Sequence, residues 1–137
     1  MNLHVEIITP EKVVYKDDVS EIVVPTETGE IAILPNHVNL LTRILPGEMV
    51  IKKGTQEHFL AITGGFLEIV NNNINILADY AVRAEDIELA KAQEAQKRAE
   101  HMIKEKSSDK EFRIAEAELQ KAVLQLKIAG KRRKHIK

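Results

Sequence analysis

Side chains that could do chemistry are scarce in this 137-residue chain, and their spacing does not assemble a reaction centre. There is no cysteine, which excludes thiol catalysis, disulfides and cysteine-based zinc sites. None of the three serines lies in the strand–turn–helix motif of a nucleophilic serine. The histidines lack the paired spacing of metal ligands, and we expect each to be a surface or hydrogen-bonded structural residue. They are His4, His37, His58, His101 and His135.

Phosphate binding and carboxylate catalysis have little support either. Thr63-Gly64-Gly65 is too short for a phosphate-binding loop and lacks the Lys-Ser/Thr that would follow. Acidic residues are abundant, but no spacing separates a catalytic pair from a solvated surface. We therefore expect no catalytic residue, no metal site and no active site in this chain.

The composition changes near residue 84, which predicts two modules. Residues 1–84 contain five of the six Gly, all four Pro and a net charge of −5, whereas residues 85–137 have a net charge of +4. The overall charge of −1 argues against a globally basic nucleic-acid binder. No apolar run approaches the ~18 residues of a membrane span, and the first residues lack a signal-peptide pattern.

The first module has the pattern of an antiparallel β-sandwich or barrel. Short runs rich in Val and Ile recur, and turn residues such as Pro46-Gly47, Lys53-Gly54 and Asn71-Asn72-Asn73 separate them. Leu3, which opens the first run, starts an alternation of apolar and polar residues typical of a half-buried strand. The predicted strands are residues 3–7, 21–24, 30–34, 40–45, 48–52, 58–63, 66–70 and 74–78.

The second module has the pattern of a helical hairpin. Residues 85–129 contain no Gly or Pro and are rich in strong helix formers. Ser108 and Glu111 have the spacing of a capping box, which predicts helices over residues 86–106 and 109–129, the second ended by Gly130. Small and apolar residues recur at three- and four-residue spacing on both helices, as in facing seams. The seam residues are Ala92, Ala95, Ala99 and Met102 on the first helix, and Phe112, Ala115, Leu119, Ala122, Leu126 and Ala129 on the second.

The second helix carries more apolar surface than a two-helix unit can cover. A second apolar stripe, formed by Ile114, Ala117, Leu124 and Ile128, lies roughly opposite the seam. Docking on the β module and exchange between binding partners both explain this stripe, and they are compatible if docking is reversible. The basic run at residues 131–137 is expected to be a frayed, solvated terminus, with an acidic protein surface or nucleic acid as the alternative.

Several segments together resemble the ε subunit of F-type ATP synthases. Residues 28–37, TGEIAILPNH, resemble the family's GE(L/I)G(I/V)LPxH segment, and Ala32 stands where a Gly is usual. Residues 63–70, TGGFLEIV, followed by 75–79, NILAD, resemble GGFLEV…VTVLAD. Residues 81–87 are similar to the family's junction into its helices, and residues 5–11 fit its VVTPE-like start. The resemblance covers nearly the whole chain in order.

The resemblance implies a β-sandwich of about ten antiparallel strands over residues 1–84, followed by two antiparallel helices over residues 85–137. It implies a non-catalytic subunit of the rotating central stalk, which couples proton-driven rotation to ATP synthesis. The sandwich would bind the γ subunit and the membrane ring of c subunits. The helices would regulate the catalytic α/β head: folded against the sandwich they permit ATP hydrolysis, and extended towards the head they obstruct it.

Site residues carry over from the resemblance position by position. Gly29 and Glu30 match the loop that contacts the c-ring. The positions that face the γ subunit correspond to Thr9, His37 and Thr42. Arg113 and Lys121 of the second helix would meet an acidic segment of the β subunits.

Some members of that family bind ATP through an (I/L)DxxRA motif, which is degenerate here. Residues 87–92 read IELAKA, so Glu88 replaces Asp and Lys91 replaces Arg, while Arg98 remains. Lysine cannot reproduce the bidentate fork of arginine, so we expect weak or no ATP binding and no cofactor. A nucleotide-sensing regulatory module, with ATP bound on the hairpin, is the alternative function, and a basic-tailed nucleic-acid adaptor is a third.

The resemblance also implies where the chain acts. The partners are the γ subunit, the c-ring and the catalytic head, with no nucleic acid and with membrane association only through the complex. Without a transit peptide, we expect a peripheral protein at the cytoplasmic face of the bacterial plasma membrane, with a plastid-encoded subunit as the alternative.

Overall fold

The computed structural model describes residues 2–105 and 108–136, with side chains described as far as Gly130. The chain divides into two compact units, Met1–Arg83 and Ala84–Lys137. In the described ranges, no helix has both the length and the apolar character needed to cross a membrane.

The first unit is built from ten strands, as the resemblance implied. They comprise the predicted runs and two strands that the apolar pattern did not predict, β2 and β10. The strands are β1 (Leu3–Ile8), β2 (Val13–Val19), β3 (Glu21–Thr26), β4 (Gly29–Ile33), β5 (Leu40–Ile44), β6 (Gly47–Lys53), β7 (Gln56–Ile62), β8 (Gly65–Val70), β9 (Asn73–Ala78) and β10 (Ala81–Arg83).

The ten strands form two five-stranded halves of one folded sheet. The hydrogen-bonded order is β10-β7-β6-β3-β5-β8-β9-β1-β2, with β4 paired to β3. A single residue pair, Thr26 with Ile44, joins β3 to β5, so the sheet is nearly divided there. At the other end of the order β2 approaches β6 and β10, so the two halves enclose a common core. The predicted β-sandwich is confirmed.

One pairing departs from the expected antiparallel arrangement. β1 and β9 pair in parallel, with Val5 opposite Ile74 and Ile7 opposite Ile76, while the other strand pairs are antiparallel. A parallel pair cannot be joined by a two-residue hairpin, and β1 and β9 are separated by most of the first unit. This long-range pairing places the start of the chain inside the sheet.

β2 escaped prediction because its apolar pattern is weak. Its central residues are charged, and Tyr15 and Val19 are its buried side chains. Its register is set by β1, since Val5 lies opposite Asp17 and Leu3 opposite Val19. The strand is therefore specified by its neighbour rather than by its own alternation.

The core of the first unit consists of aliphatic side chains from both halves. Alternate residues of each strand point inward, as the period of two requires. The largest fully buried side chains are Leu3, Ile7, Ile22, Ile33, Met49, Ile51, Leu60, Ile62, Leu67, Ile69, Ile74 and Ile76.

The Gly64-Gly65 pair has a structural role at the start of β8. Gly64 and Gly65 have φ values of +139° and +143°, which side chains rarely tolerate. A Cβ on Gly65 would collide with the carbonyl oxygen of Leu77, because β8 and β9 approach closely there. The absence of a side chain at Gly65 therefore allows β8 and β9 to lie close together.

The last strand of the first unit is fixed by an arginine. Arg83 pairs with Leu60 of β7, and its guanidinium carbon lies 5.0 Å from the centroid of the Tyr15 ring. Its Nε donates a hydrogen bond to the carbonyl of Val14 at 3.3 Å. Cation–π attraction and strand pairing together anchor the residue that precedes the helical unit.

The second unit contains a short 3-10 turn (Ala84–Asp86) and two helices, α1 (Leu89–Glu105) and α2 (Asp109–Ile136). α1 begins three residues later than predicted, and its predicted end at Lys106 lies outside the described residues. The prediction that Gly130 ends α2 is wrong, because the helix continues through it. A glycine inside a helix costs only about 1 kcal/mol, and a Cβ built on Gly130 would meet no atom of the described residues within 4 Å outside its own helix.

The predicted cap of the hairpin is confirmed, and so is the predicted seam except at Met102, whose side chain is exposed near the end of α1. The amide of Glu111 donates to Oγ of Ser108 at 3.1 Å, which satisfies one of the free amides at the start of α2. α1 and α2 pack together, and the alanines buried in the unit are seam residues and Ala84 of the turn. The buried seam residues are Ala92, Ala99, Ala115, Ala122 and Ala129.

The second apolar stripe is divided along α2. Ile114 is half exposed and Ala117 is exposed, whereas Leu124 is half-buried and Ile128 is buried. The exposed half therefore lies in the first turns of the helix. The side chains of the basic run at residues 131–137, including His135, lie outside the described residues.

Candidate partner-binding surfaces

The strands β5, β8, β9 and β1 carry apolar residues on their outer face as well as their inner face. Leu41 of β5 is 71% exposed, Phe66 of β8 is 52% exposed and Leu77 of β9 is 59% exposed. We call these three residues the outer apolar face. Large apolar side chains grouped on an exposed sheet face mark an interaction surface in many soluble proteins.

The strand register brings the outer apolar face together. Phe66 lies opposite Leu77, which lies opposite Ile8 of β1, and Arg43 of β5 lies opposite Phe66. Directly opposed residues share one face of a sheet, so these side chains form a row across four strands. Leu41 is a diagonal neighbour of Phe66 on the same face. The row combines an apolar centre with a cation at its edge.

Two of the expected γ contacts flank this face at opposite ends. Thr9 directly follows Ile8, and its hydroxyl accepts from the amide of Lys12 and donates to its carbonyl at 3.3 and 3.2 Å. His37 lies in the loop before β5, and its Nδ1 donates to the carbonyl of Val38 at 2.7 Å. The two residues are separated by the length of the strands, so a partner touching both would cover the outer apolar face.

Asparagines of two loops fix the His37 loop at its end of the sheet. The amide of Asn36 donates to Oδ1 of Asn72 at 2.6 Å, and the amide of Asn71 donates to Oδ1 of Asn39 at 3.3 Å. Asn36, Asn71 and Asn72 adopt positive φ, which asparagine tolerates better than most residues. This loop also presents Val38, which is largely exposed.

The third expected γ contact has a different orientation. Thr42 is half-buried and lies opposite the buried Leu67, so the alternation of β5 turns it towards the core side. Its neighbours Leu41 and Arg43 point outward. The structure therefore places Thr42 behind the outer apolar face rather than on it.

The expected c-ring contact lies in the other half of the sheet. Gly29 and Glu30 begin β4, and both are exposed. Gly29 has φ +115°, so this position needs the conformational freedom of glycine. The turn before it is held from beneath by Thr26, a buried residue at the end of β3.

The expected β-subunit contacts lie on α2. Arg113 is exposed near the start of the helix, next to the exposed Ile114 of the second apolar stripe. Lys121 is half-buried two turns further on. A cation beside exposed apolar surface suits a partner with acidic and apolar groups.

Two residues of the degenerate nucleotide motif, Glu88 and Lys91, form an ion pair with each other. Glu88 precedes α1, and its carbonyl accepts the amide of Ala92 at 3.0 Å. The Glu88 carboxylate lies 3.3 Å from Nζ of Lys91 in a highly exposed ion pair. Arg98 is exposed about two turns beyond Lys91. No observation here favours a nucleotide site, and weak ATP binding stays a prediction.

The described histidines have ordinary structural environments. Nδ1 of His4 lies 2.8 Å from Asp18, His58 packs 6.3 Å from the Tyr15 ring, and Nε2 of His101 lies 3.0 Å from Glu105. Within residues 2–105 and 108–130, no cluster of three His, Asp or Glu side chains could hold a metal ion.

A surface ion pair perturbs one carboxyl group. Nζ of Lys53 donates to Asp17 at 2.6 Å, and this hydrogen bond lowers the pKa of Asp17, with further lowering by the amide of Asp18. The same pairing raises the pKa of Lys53. Both groups are solvent-accessible, so the pair is a local tie between β2 and β6.

The outer apolar face was missed by the sequence analysis, although a signal for it exists. Leu40-Leu41, Phe66-Leu67 and Ile76-Leu77 are adjacent apolar pairs inside strands. A strand with one face in water alternates, whereas adjacent apolar residues put one on each face. Adjacent apolar pairs on three strands that turn out to be neighbours therefore indicate a sheet apolar on both sides.

Comparison with known families finds a matching family model for each of the two units. Residues 2–84 match the family model described as the ATP synthase delta/epsilon chain β-sandwich domain. Residues 85–130 match the long α-helix domain of the same chains. The chain belongs to the delta/epsilon chain family of ATP synthase subunits. Together with the relatives described next, which are named ATP synthase epsilon chain, these matches confirm the ε-subunit resemblance found in the sequence.

Relatives named ATP synthase epsilon chain match this member over almost its full length. A chain from Dehalococcoides mccartyi is 43% identical over 134 residues, which cover 97% of this chain and 96% of the relative. One from Thioalkalivibrio sulfidiphilus is 37% identical over 137 residues, covering 98% and 97%.

Two solved structures share the fold. A chain of the Euglena gracilis mitochondrial ATP synthase, in an assembly of OSCP, F1 and c-ring, has a TM-score of 0.73 at 20% identity, covering 87% of this chain and 76% of that one. A chain of the Tetrahymena thermophila mitochondrial ATP synthase central stalk and c-ring has a TM-score of 0.59 at 17% identity, covering 94% and 97%.

Proposed function

We propose that this chain is a non-catalytic central-stalk subunit of an F-type ATP synthase, coupling proton-driven rotation of the c-ring to ATP synthesis. Its first unit binds the γ subunit and the c-ring, and its helices regulate ATP hydrolysis by the α/β head. Family membership over both units supports the assignment. The outer apolar face is the observation that carries it, because a stalk subunit without an active site acts through its binding surfaces.

The γ subunit is the proposed occupant of the outer apolar face. Leu41, Phe66 and Leu77 supply an apolar centre, and the expected contacts Thr9 and His37 flank it at the two ends of the strands. Burying exposed apolar side chains supplies the main driving force for a lasting attachment. Thr42, whose half-buried side chain is turned towards the core side, is not part of this proposed surface.

The c-ring is proposed to contact the exposed turn at Gly29 and Glu30. This turn is on the other half of the sheet from the outer apolar face. Two surfaces on different half-sheets allow one subunit to hold γ and the ring together. Such a bridge is what transmission of rotation requires.

The helical unit is proposed to act on the catalytic head. Small alanine seams bury less apolar area than leucine seams, so the pair separates at lower cost. Ile114 and Arg113 offer a mixed apolar and basic surface for an acidic segment of the β subunits. By this role the protein is peripheral, at the cytoplasmic face of a bacterial plasma membrane, and associates with the membrane through the complex.

The experiment adds the full chain, or a form of residues 1–84, to the cognate catalytic head with its γ subunit. Circular dichroism first checks that the shorter form is folded. We expect both forms to bind γ, and only the full chain to slow ATP hydrolysis.

The experiment tests the stalk assignment and the regulatory role of the helices separately. Absence of binding by both folded forms would refute the stalk assignment. Equal inhibition by both forms would refute the regulatory role of the helices. The Phe66→Glu variant described below tests the γ surface by itself.

A further inference from the structure

Thr26 is a buried threonine beneath the turn that carries Gly29 and Glu30. It ends β3, and only 2% of its surface is exposed. Among the residues whose burial is described, it is the one polar residue in the buried core. A valine would fill a similar space in a strand without bringing a hydroxyl group into the interior.

The hydroxyl group of Thr26 is fully engaged with the turn. Its Oγ1 donates to the carbonyl of Gly29 at 2.6 Å and accepts the amide of Thr28 at 3.3 Å. The hydroxyl of Thr28 lies 3.2 Å away. A hydroxyl has one donor and two acceptor sites, so these three contacts can use all of them.

The backbone ties the same turn to the neighbouring strand. Thr26 pairs with Gly29 across the hairpin and with Ile44 of β5. The amide of Glu27 donates to the carbonyl of Arg43 at 3.2 Å. The turn is therefore held on one side by β5 and from beneath by the Thr26 hydroxyl.

The residues above this anchor are all open to solvent. Glu27, Thr28, Gly29 and Glu30 are exposed. A Cβ built on Gly29 would meet no atom within 4 Å outside its chain neighbours, so no side-chain packing covers the turn there. An exposed glycine-containing turn would otherwise lose conformational entropy when a partner ordered it.

We propose that Thr26 is a positioning residue that holds residues 27–30 in one conformation before Glu30 meets the rotor ring. The inference rests on the ring contact proposed above for Gly29 and Glu30. Preorganisation strengthens binding because less chain entropy is lost when the complex forms. The competing explanation is that the hydroxyl stabilises the hairpin and has no effect on the partner.

The first measurement is amide exchange by NMR on the full chain. Thr26→Val removes the hydroxyl while keeping the branched shape, and Thr26→Ser restores it. We expect exchange of the Thr28 amide to rise roughly five- to tenfold in Thr26→Val, the range expected for one lost hydrogen bond. Thr26→Ser should exchange near the original rate. Thr55→Val, at an exposed threonine in the β6–β7 turn, is the matched control.

The second measurement is affinity for a solubilised assembly of γ and the c-ring. Thr26→Val should weaken binding roughly fivefold, Thr26→Ser should bind nearly as the original chain does, and Thr55→Val should be unchanged. Thermal unfolding of each variant is followed in parallel. If Thr26→Ser restores binding while its unfolding temperature equals that of Thr26→Val, the loss of affinity in Thr26→Val comes from positioning and not from general stability.

Glu30→Lys tests the ring contact independently of Thr26. Suppose that Glu30→Lys weakens binding, whereas Thr26→Val loosens the turn and leaves binding unchanged. The positioning role is then refuted and the ring contact survives. Should Glu30→Lys have no effect on binding, the proposed ring contact fails, and the positioning role fails with it. Unchanged Thr28 exchange in Thr26→Val would also refute the positioning role.

Discussion

At the scale of single residues, the fold gives structural partners to the Gly64-Gly65 pair and to the charged residues of β2. The Gly64-Gly65 pair allows β8 to approach β9, and the charged residues of β2 form surface pairs with their neighbours. Each of these contacts joins two strands of the sheet.

Replacing Gly65 by alanine should be severely destabilising. The added Cβ would meet the carbonyl oxygen of Leu77, which belongs to a paired strand and cannot move away. We expect the free energy of unfolding to fall by at least about 3 kcal/mol, from positive φ and overpacking together. Gly54→Ala is the control: its φ is +63° but nothing lies near it, so about 1–2 kcal/mol should be lost. Urea unfolding followed by circular dichroism measures both.

The Asp17–Lys53 pair should make a small, pH-dependent contribution to stability. The hydrogen bond from Lys53 lowers the pKa of Asp17, so stabilisation is present above that group's ordinary pKa and is lost as the pH falls through the lowered value. The pKa of Lys53 is raised, so its part disappears only as the pH rises through that raised value.

Comparison of Asp17→Asn with the original chain tests the pair. We expect the variant to be less stable at neutral pH and low salt, and the difference to shrink in acid and at high salt. A difference that stayed constant from neutral to acidic pH would contradict the ionic origin.

At the scale of elements, the two units obtain their order in different ways. The strands depend on partners distant in the chain, and β1 beside β9 is the extreme example. The helices depend on local capping and on small residues that allow close packing. The helix pattern could therefore be read from the sequence more completely than the strand pairing.

Enlarging a seam alanine should loosen the helical pair. Ala115 of α2 is fully buried, so Ala115→Leu forces bulk between packed helices and should cost about 1–3 kcal/mol. Ala117→Leu, on the exposed side of the same helix, should cost little. Hydrogen exchange of α1 amides in the full chain measures the effect. Equal protection in both variants would show that this seam does not hold the pair.

At the scale of the whole molecule, the chain offers different surfaces on its two half-sheets and on α2. The family shows what kind of complex such a chain belongs to, and the strand register shows which side chains could meet a partner. An apolar face between Thr9 and His37 and a rigid exposed turn at Glu30 are separable surfaces. Separate substitutions, at Phe66 and at Glu30, test each of them.

Phe66→Glu should weaken attachment to the γ subunit without unfolding the sheet. Phe66 is more than half exposed, so its replacement leaves the core intact and places a charge in the proposed apolar contact. We expect at least about a tenfold loss of affinity, in line with removal of a central apolar contact. Gln56→Glu, an exposed position on β7, adds the same charge elsewhere and should bind normally. Equal binding by both variants would exclude this face as the γ surface.

The sequence by itself determined the two-module division, the eight strongly apolar strands, the hairpin and the family. Alternation, helix periodicity and the Ser108 cap are local properties, so they can be read along the chain. Only the tertiary structure decided that Leu41, Phe66 and Leu77 meet on one face, that Thr42 turns towards the core, and that Thr26 anchors an exposed turn. Those facts depend on the register between strands far apart in the sequence, and long-range packing sets that register.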